Sequence, residues 1–279
     1  MKSPHGFSLI EMAFVLVIVT LLLGGLLVPF ATQVEQKRIA ETQKAMDEIK
    51  EALIGYALSH RATTPSASGT LQPYLPCPDL TALPANPVCV FNGTANDGQE
   101  DRCTSSGVCV NQEGNLPWAT LGVSPADAWG NRLHYRVDSN FSSNSITHPG
   151  FGLRSPANEI TVCTTAPIPA SGNCPSAQQL ATGVPAIVLS YGKNGYGALN
   201  SNGSFYKAPP TMNTDEIQNQ ASAATATTPT THVFVSRSVS PASTPCGGSK
   251  QPLCEFDDLL TWLSPHVLFN RMVAADQLP

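Results

Sequence analysis

The chain has 279 residues, enough for one large or two small domains with a buried core. A net charge of −5, with no basic run longer than Lys37-Arg38, excludes nucleic acid as the expected main partner. Charge is also uneven: residues 35–61 hold ten Asp, Glu, Lys and Arg, whereas the 218 residues after Arg61 hold 23 and are rich in the Pro, Gly, Ser, Thr and Asn of short strands joined by turns.

From Phe7 to Phe30 every residue but Glu11 is uncharged, a run of 24 residues. That is about 36 Å of helix, enough to span a bilayer. A carboxylate inside such a segment is costly and by default marks a function. A cleaved secretory signal fits poorly, because the one small residue near the end of the run, Ala31, has Pro29 two positions before it. No cysteine lies there either, which excludes lipoprotein processing. An uncleaved anchor explains the length but leaves Glu11 without a purpose.

The leader Met1-Lys-Ser-Pro-His-Gly6 ends in glycine immediately before Phe7-Ser-Leu-Ile-Glu11. Glycine, then Phe-Ser-Leu-Ile-Glu, then about 19 apolar residues resembles the signal of type IV prepilins and of the pseudopilins of type II secretion. The resemblance implies cleavage between Gly6 and Phe7 by a prepilin peptidase, N-methylation of Phe7, and retention of the apolar segment. The implied partners are other pilin subunits, that peptidase, an inner-membrane assembly platform, and membrane lipid before assembly. Cleavage would create an ammonium on Phe7, and Glu11 of an incoming subunit could pair with the Phe7 amine of one already in place. Either charge left alone in a low-dielectric site is expensive, so one carboxylate can set subunit register. Pro29, preceded by Gly24 and Gly25, is expected to kink or locally melt the helix, and filament packing often uses such a spot.

After Phe30 the pattern turns amphipathic. Val34, Ile39, Met46, Ile49, Leu53 and Tyr56 or Ala57 recur mostly at three- and four-residue steps. Charges occupy the opposite, solvated face, with Lys44/Glu48 and Asp47/Glu51 four apart. The spacing predicts one helix over 7–60, roughly 80 Å long, with its membrane or filament-core part in 7–30. Residues 61–76 read as a linker, since Pro65 and Gly69 cannot continue a helix.

Residues 77–279 form the predicted head. Leu133–Val137, Glu159–Cys163, Ala186–Ser190 and Thr231–Ser236 read as strands of one antiparallel sheet covering the second half of the helix. The fold class is therefore α+β, the layout of pilin heads. Asp127-Ala-Trp-Gly-Asn131 resembles the D-P-W-G-N turn of major pseudopilins, with Ala128 in place of Pro. Its Trp is expected to fill core and its Gly to allow the bend.

Eight cysteines, Cys77, Cys89, Cys103, Cys109, Cys163, Cys174, Cys246 and Cys254, all follow the apolar segment, as disulfides formed in an oxidising compartment would. Sequential pairing (77 with 89, 103 with 109, 163 with 174, 246 with 254) gives the shortest loops. Asn96, Asp97, Glu100 and Asp101 around Gly98 supply hard oxygens at short spacing, as calcium loops do, without the frame of an EF-hand. Pseudopilin heads are known to use calcium, although the resemblance does not map their ligands onto these residues; no cofactor is otherwise required.

Enzyme motifs fail. Ser190-Tyr-Gly-Lys193 matches S-x-x-K, but no S-D-N or K-T-G follows and Lys193–Gly197 reads as a turn rather than the helix that chemistry requires; the six histidines show no metal spacing. Asp138-Ser-Asn-Phe-Ser142 fits an N-glycosylation pattern and reads better as a plain loop. Residues 256–274 are predicted as one or two short helices broken near Pro265, with an apolar face packed on the head. The chain so read is a noncatalytic subunit, held in the inner membrane with a periplasmic head and then built into a periplasmic or surface filament. A minor pilin fits the large head. A type II secretion pseudopilin and a membrane-anchored periplasmic binding or enzymatic domain are the alternatives.

Overall fold

The structure, a computed structural model, describes residues 8–62, 71–81, 89–91, 93–145, 150–152, 156–157, 160–166, 174–200, 204, 206–210, 213–220, 232–240 and 254–278. The side chains of 22–31 and of residue 232 are outside that description. The chain divides into two units, Met1–Glu41 and Thr42–Pro279. Helix α1, Leu9–Ser59, begins in the first and ends in the second. Its backbone is helical across Pro29, so the local melting expected there does not occur.

From Leu9 to Leu21, within the first unit, α1 is apolar but for Glu11 and Thr20, and it is bare. Leu9 is 90% exposed, Phe14 65% and Leu21 71%. In the second unit the same helix is one-sided. Thr42, Met46, Ile49, Leu53, Ile54 and Ala57 are buried at helical spacing. Lys44 and Glu48 pair at 3.7 Å on the solvated face. Asp47 and Glu51 carry like charge and go elsewhere: Asp47 to Lys50 at 2.8 Å, Glu51 to Arg271 at 3.4 Å.

The head is α+β, as expected, and consistent with a pilin-like fold. Strands β1 (Glu113–Asn115), β2 (His134–Val137), β5 (Ala186–Ser190) and β7 (Leu259–Leu263) form an antiparallel sheet in the order β1-β2-β5-β7. The single sheet expected from the sequence is in fact two. Strands β3 (Ile160–Cys163), β4 (Gln179–Thr182) and β6 (His232–Val235) make a second sheet in which β3 and β6 run parallel. Strand β5 shows why both are needed. Ala186 and Val188 pack into the core that holds Met46, Ile49 and Leu53, while Ile187 and Leu189 pack on Ile160, Val162 and Phe234 of the second sheet. Successive side chains point to opposite faces, so an unbroken apolar strand demands cover on both.

Short helices α2 (Trp118–Leu121), α3 (Ser139–Ser142) and α4 (Thr214–Asn219) fill the connections. The 138–142 stretch expected as a loop is α3, capped by the Asp138 carboxylate accepting from the Asn140 N–H at 2.9 Å. The expected C-terminal helices are corrected in their first half, which is strand β7; only Pro265–Ala274 is helix, α5. Pro265 opens that helix rather than breaking one, because the first-turn N–H it lacks has no partner to lose. Residues 71–76, expected as linker, lie in the head, with Leu75 fully buried and Ala62 N–H bonded to the Gln72 carbonyl at 2.8 Å. Residues 63–70 are outside the described residues.

Candidate functional site

Gly6 and Phe7 lie outside the described residues, as does the side chain of Pro29. Glu11 is described, and its neighbours explain it in a way its charge alone does not. The Ser8 N–H donates to Glu11 Oε2 at 2.8 Å, and the Glu11 N–H donates to Ser8 Oγ at 3.3 Å. This reciprocal pair is a capping box, which satisfies two of the N–H groups that a helix start leaves orphaned. The signal was legible as S-x-x-E ahead of an apolar run. One Glu11 oxygen serves the cap, and the residue is exposed.

The cysteines pair differently from the sequential expectation. Cys77 joins Cys109, and Cys89 joins Cys103 inside that loop; Cys163 joins Cys174 as expected. Nesting follows from the fold: the Phe91–Cys103 backbone bridge sets Cys89 beside Cys103, while the Asp101 N–H bonds the Pro78 carbonyl and the Asp101 carbonyl accepts from the Val110 N–H, which brings the Cys77 segment to Cys109. Cys254 is also disulfide-bonded, and Cys246 lies outside the described residues.

The four residues of the expected calcium loop turn in different directions. Asn96 donates to the Thr81 carbonyl and accepts from Asn115 Nδ2 at 2.7 Å. Asp97 accepts from Thr94 Oγ1 at 2.7 Å and from the Gln99 N–H at 2.8 Å, closing its own turn. Glu100 takes the Tyr56 hydroxyl at 2.8 Å, the Cys77 N–H at 2.9 Å and Arg102 at 3.0 Å. Asp101 accepts from the Leu80 N–H at 2.8 Å. Gly98, at φ 80°, lies against the Trp118 indole where no Cβ would fit. Burial pushes the Asp101 carboxyl up to about 6, against the Leu80 bond and with help from the Asp97 and Glu100 charges. Burial likewise pushes Asp79 up to about 7, opposed by Asn115 and reinforced by the Asp101 charge.

The Asp127–Asn131 turn is built around its first carboxylate. Asp127 Oδ1 accepts from the Trp129 and Asn131 N–H groups, both at 2.9 Å, and Oδ2 accepts from Ser190 Oγ at 2.6 Å. Gly130 supplies the left-handed step at φ 89°. Trp129 is half-buried rather than core. Ser190, the serine of S-x-x-K, is fully buried and committed to that bond.

A second acidic centre was not legible. Glu216 on α4 and Asp257 and Asp258 just before β7 each offer one carboxylate oxygen, and the three lie within 4.8 Å of one another. Asn213 caps α4 and donates Nδ2 to the Glu255 carbonyl at 2.8 Å, tying the two segments together. Asn194 donates Nδ2 to Glu216 Oε1 at 2.7 Å and its N–H to Asp257 Oδ2 at 2.8 Å. Asn219 donates Nδ2 to Asp258 Oδ2 at 2.8 Å. Burial pushes Glu216 up to about 7 and Asp258 well above the usual carboxylate range, with the neighbouring carboxylates adding to both. The residues lie some forty positions apart, and no local spacing links them.

Among the described residues no helix is long and apolar enough to cross a membrane. No curated protein and no solved structure matches the chain. Residues 1–27 match the family model of the prokaryotic N-terminal methylation motif, so the chain carries the prepilin-type signal shared by type IV pilins and pseudopilins.

Proposed function

We propose that the chain is a structural subunit, a minor pilin, of a type IV pilus-like filament. It is made as a prepilin, cleaved after Gly6 by a prepilin peptidase, methylated on Phe7, and held in the inner membrane until the assembly platform adds it to the filament. The observation that carries this reading is the bare apolar helix from Leu9 to Leu21, headed by Glu11 inside the matched motif. Such a surface requires lipid or other apolar helices around it. Glu11 can hold its own cap through one oxygen and receive a neighbour's Phe7 amine through the other. The disulfides support a head exposed to an oxidising compartment.

The intact mass of the protein recovered from membranes is expected to lack residues 1–6 and carry one added methyl; a full-length mass overturns the prepilin reading. Glu11→Ala is expected to be processed yet enter filaments poorly, whereas Ser8→Ala, which loses about 0.5–2 kcal/mol of capping, should still assemble. Equal incorporation of both variants removes the register role. A pseudopilin of type II secretion is the second reading, favoured by the Asp127–Asn131 turn and its Gly130. Recovery of the chain in purified pili, or instead with a secretion apparatus, separates the two.

A further inference from the structure

The centre formed by Glu216, Asp257 and Asp258 concentrates three formal negative charges, with Glu216 fully buried and Asp258 only 2% exposed. Neutral donors reach one oxygen of each buried residue, Asn194 for Glu216 and Asn219 for Asp258. The other two oxygens, Glu216 Oε2 and Asp258 Oδ1, are buried and meet no well-formed hydrogen bond among the described residues, although the Asp257 N–H lies near enough to Glu216 to favour its charged form. Among the described residues neither Glu216 nor Asp258 forms an ion pair with a basic side chain; Arg237, the basic group that acts on Asp258, is bonded at 2.8 Å to Asp215. Buried carboxylates in this state are costly as anions, and either a proton or a cation relieves that cost.

We propose that Glu216, Asp257 and Asp258 bind a hard divalent cation. The three oxygens lie within 4.8 Å of one another, no farther apart than two ligands at about 2.4 Å on opposite sides of one calcium ion. The Asn194 and Asn219 amides orient the carboxylates through the oxygens that the cation does not need, as second-layer donors do around metals. Their own carbonyl oxygens are committed to the Tyr196 and Val235 N–H groups, so water completes the coordination. Asp258 also borders a cavity of about 380 Å³ shared with Asp47, Ser236, Arg237 and Thr261, which brings solvent to that side. Gly192 lies against the Asp257 carbonyl where a Cβ would not fit, so the turn after β5 presses on the site. The cation would clamp α4, which packs beside β6 of the second sheet, to the segment leading into β7 of the first. It would hold together the two sheets of the head, and nothing in this depends on filament assembly.

The test uses the full chain in detergent, stripped with chelator and titrated separately with Ca²⁺ and Mg²⁺ by calorimetry and thermal melting. One site and a melting temperature that rises with Ca²⁺ are expected. Glu216→Gln should weaken binding about ten-fold or more, whereas Asp97→Asn should leave it unchanged. If Glu216→Gln does not fold, Asp257→Asn, the half-exposed member, is the variant to read. Binding of neither cation overturns the proposal, and so does binding that survives Glu216→Gln but is lost in Asp97→Asn, which would put the cation in the 93–101 loop.

Discussion

The two halves of α1 share one backbone geometry and have opposite fates. From Leu9 to Leu21 large apolar side chains stand in the open, whereas from Thr42 to Ser59 they disappear at every third or fourth position into a core shared with β2, β5, β7 and α5. The difference lies in charge placement. The second half confines its charges to one face, leaving a stripe that the head covers. The first half has no polar face except at its start, so no globular head of this size can cover it alone. On the proposed reading lipid or neighbouring chains cover it, whereas the head covers the second half.

The sharpest way to break this comparison is a pair of truncations. Leu53→Ala should lower head stability by about 2–5 kcal/mol, because it leaves a cavity at a site only 1% exposed. Phe14→Ala should leave the head's melting temperature unchanged and alter only membrane retention or filament incorporation. A loss of head stability in Phe14→Ala would show that the two halves are not independent. Next in size is the Cys77–Cys109 crosslink, which ties Cys77, in the core with Leu53, to a segment 32 residues on. Replacing both cysteines by serine should cost about 2–4 kcal/mol in denaturant melts, with no effect on signal processing. An unchanged midpoint would mean that the core alone sets the head's stability.

The smallest effect is electrostatic and belongs to the head. Asp79 and Asp101 have carboxyls raised to about 7 and about 6 in the folded protein, against about 4 when unfolded. The folded state therefore holds protons that the unfolded state has released. That stabilisation is complete below about pH 4 and is lost as pH rises through 6 to 7. Melting temperatures measured in chelator should fall between pH 5 and pH 8, and Asp79→Asn should flatten part of the slope. A slope that Asp79→Asn leaves intact would assign the effect to other groups, Glu216 and Asp258 among them.

Much of this molecule was readable along the chain. The long helix, β2, β3, β5 and β6 each lie where apolar periodicity placed them, within about two residues at each end. What escaped did so for identifiable reasons. Glu113-Gly-Asn115 has no strand-forming side chain, and becomes β1 only because it pairs with β2. Leu259–Leu263 is apolar enough for a helix, and β5 recruits it as a strand along five paired positions. The Ser8–Glu11 box was written in S-x-x-E, but a lone acid at the head of an apolar run points first to membrane depth rather than to a cap.

By itself, the sequence determined what depends on neighbours along the chain: the apolar segment and its single acid, the amphipathic continuation of the helix, and the individual strands. Those follow from periodicity and local hydrogen bonding, which need no distant partner. The tertiary structure decided the split into two sheets, the nested Cys77–Cys109 and Cys89–Cys103 bridges, and the meeting of Glu216 with Asp257 and Asp258. Each of these joins residues that chain distance separates and packing brings together; for the two sheets, the drive is burial of both faces of β5.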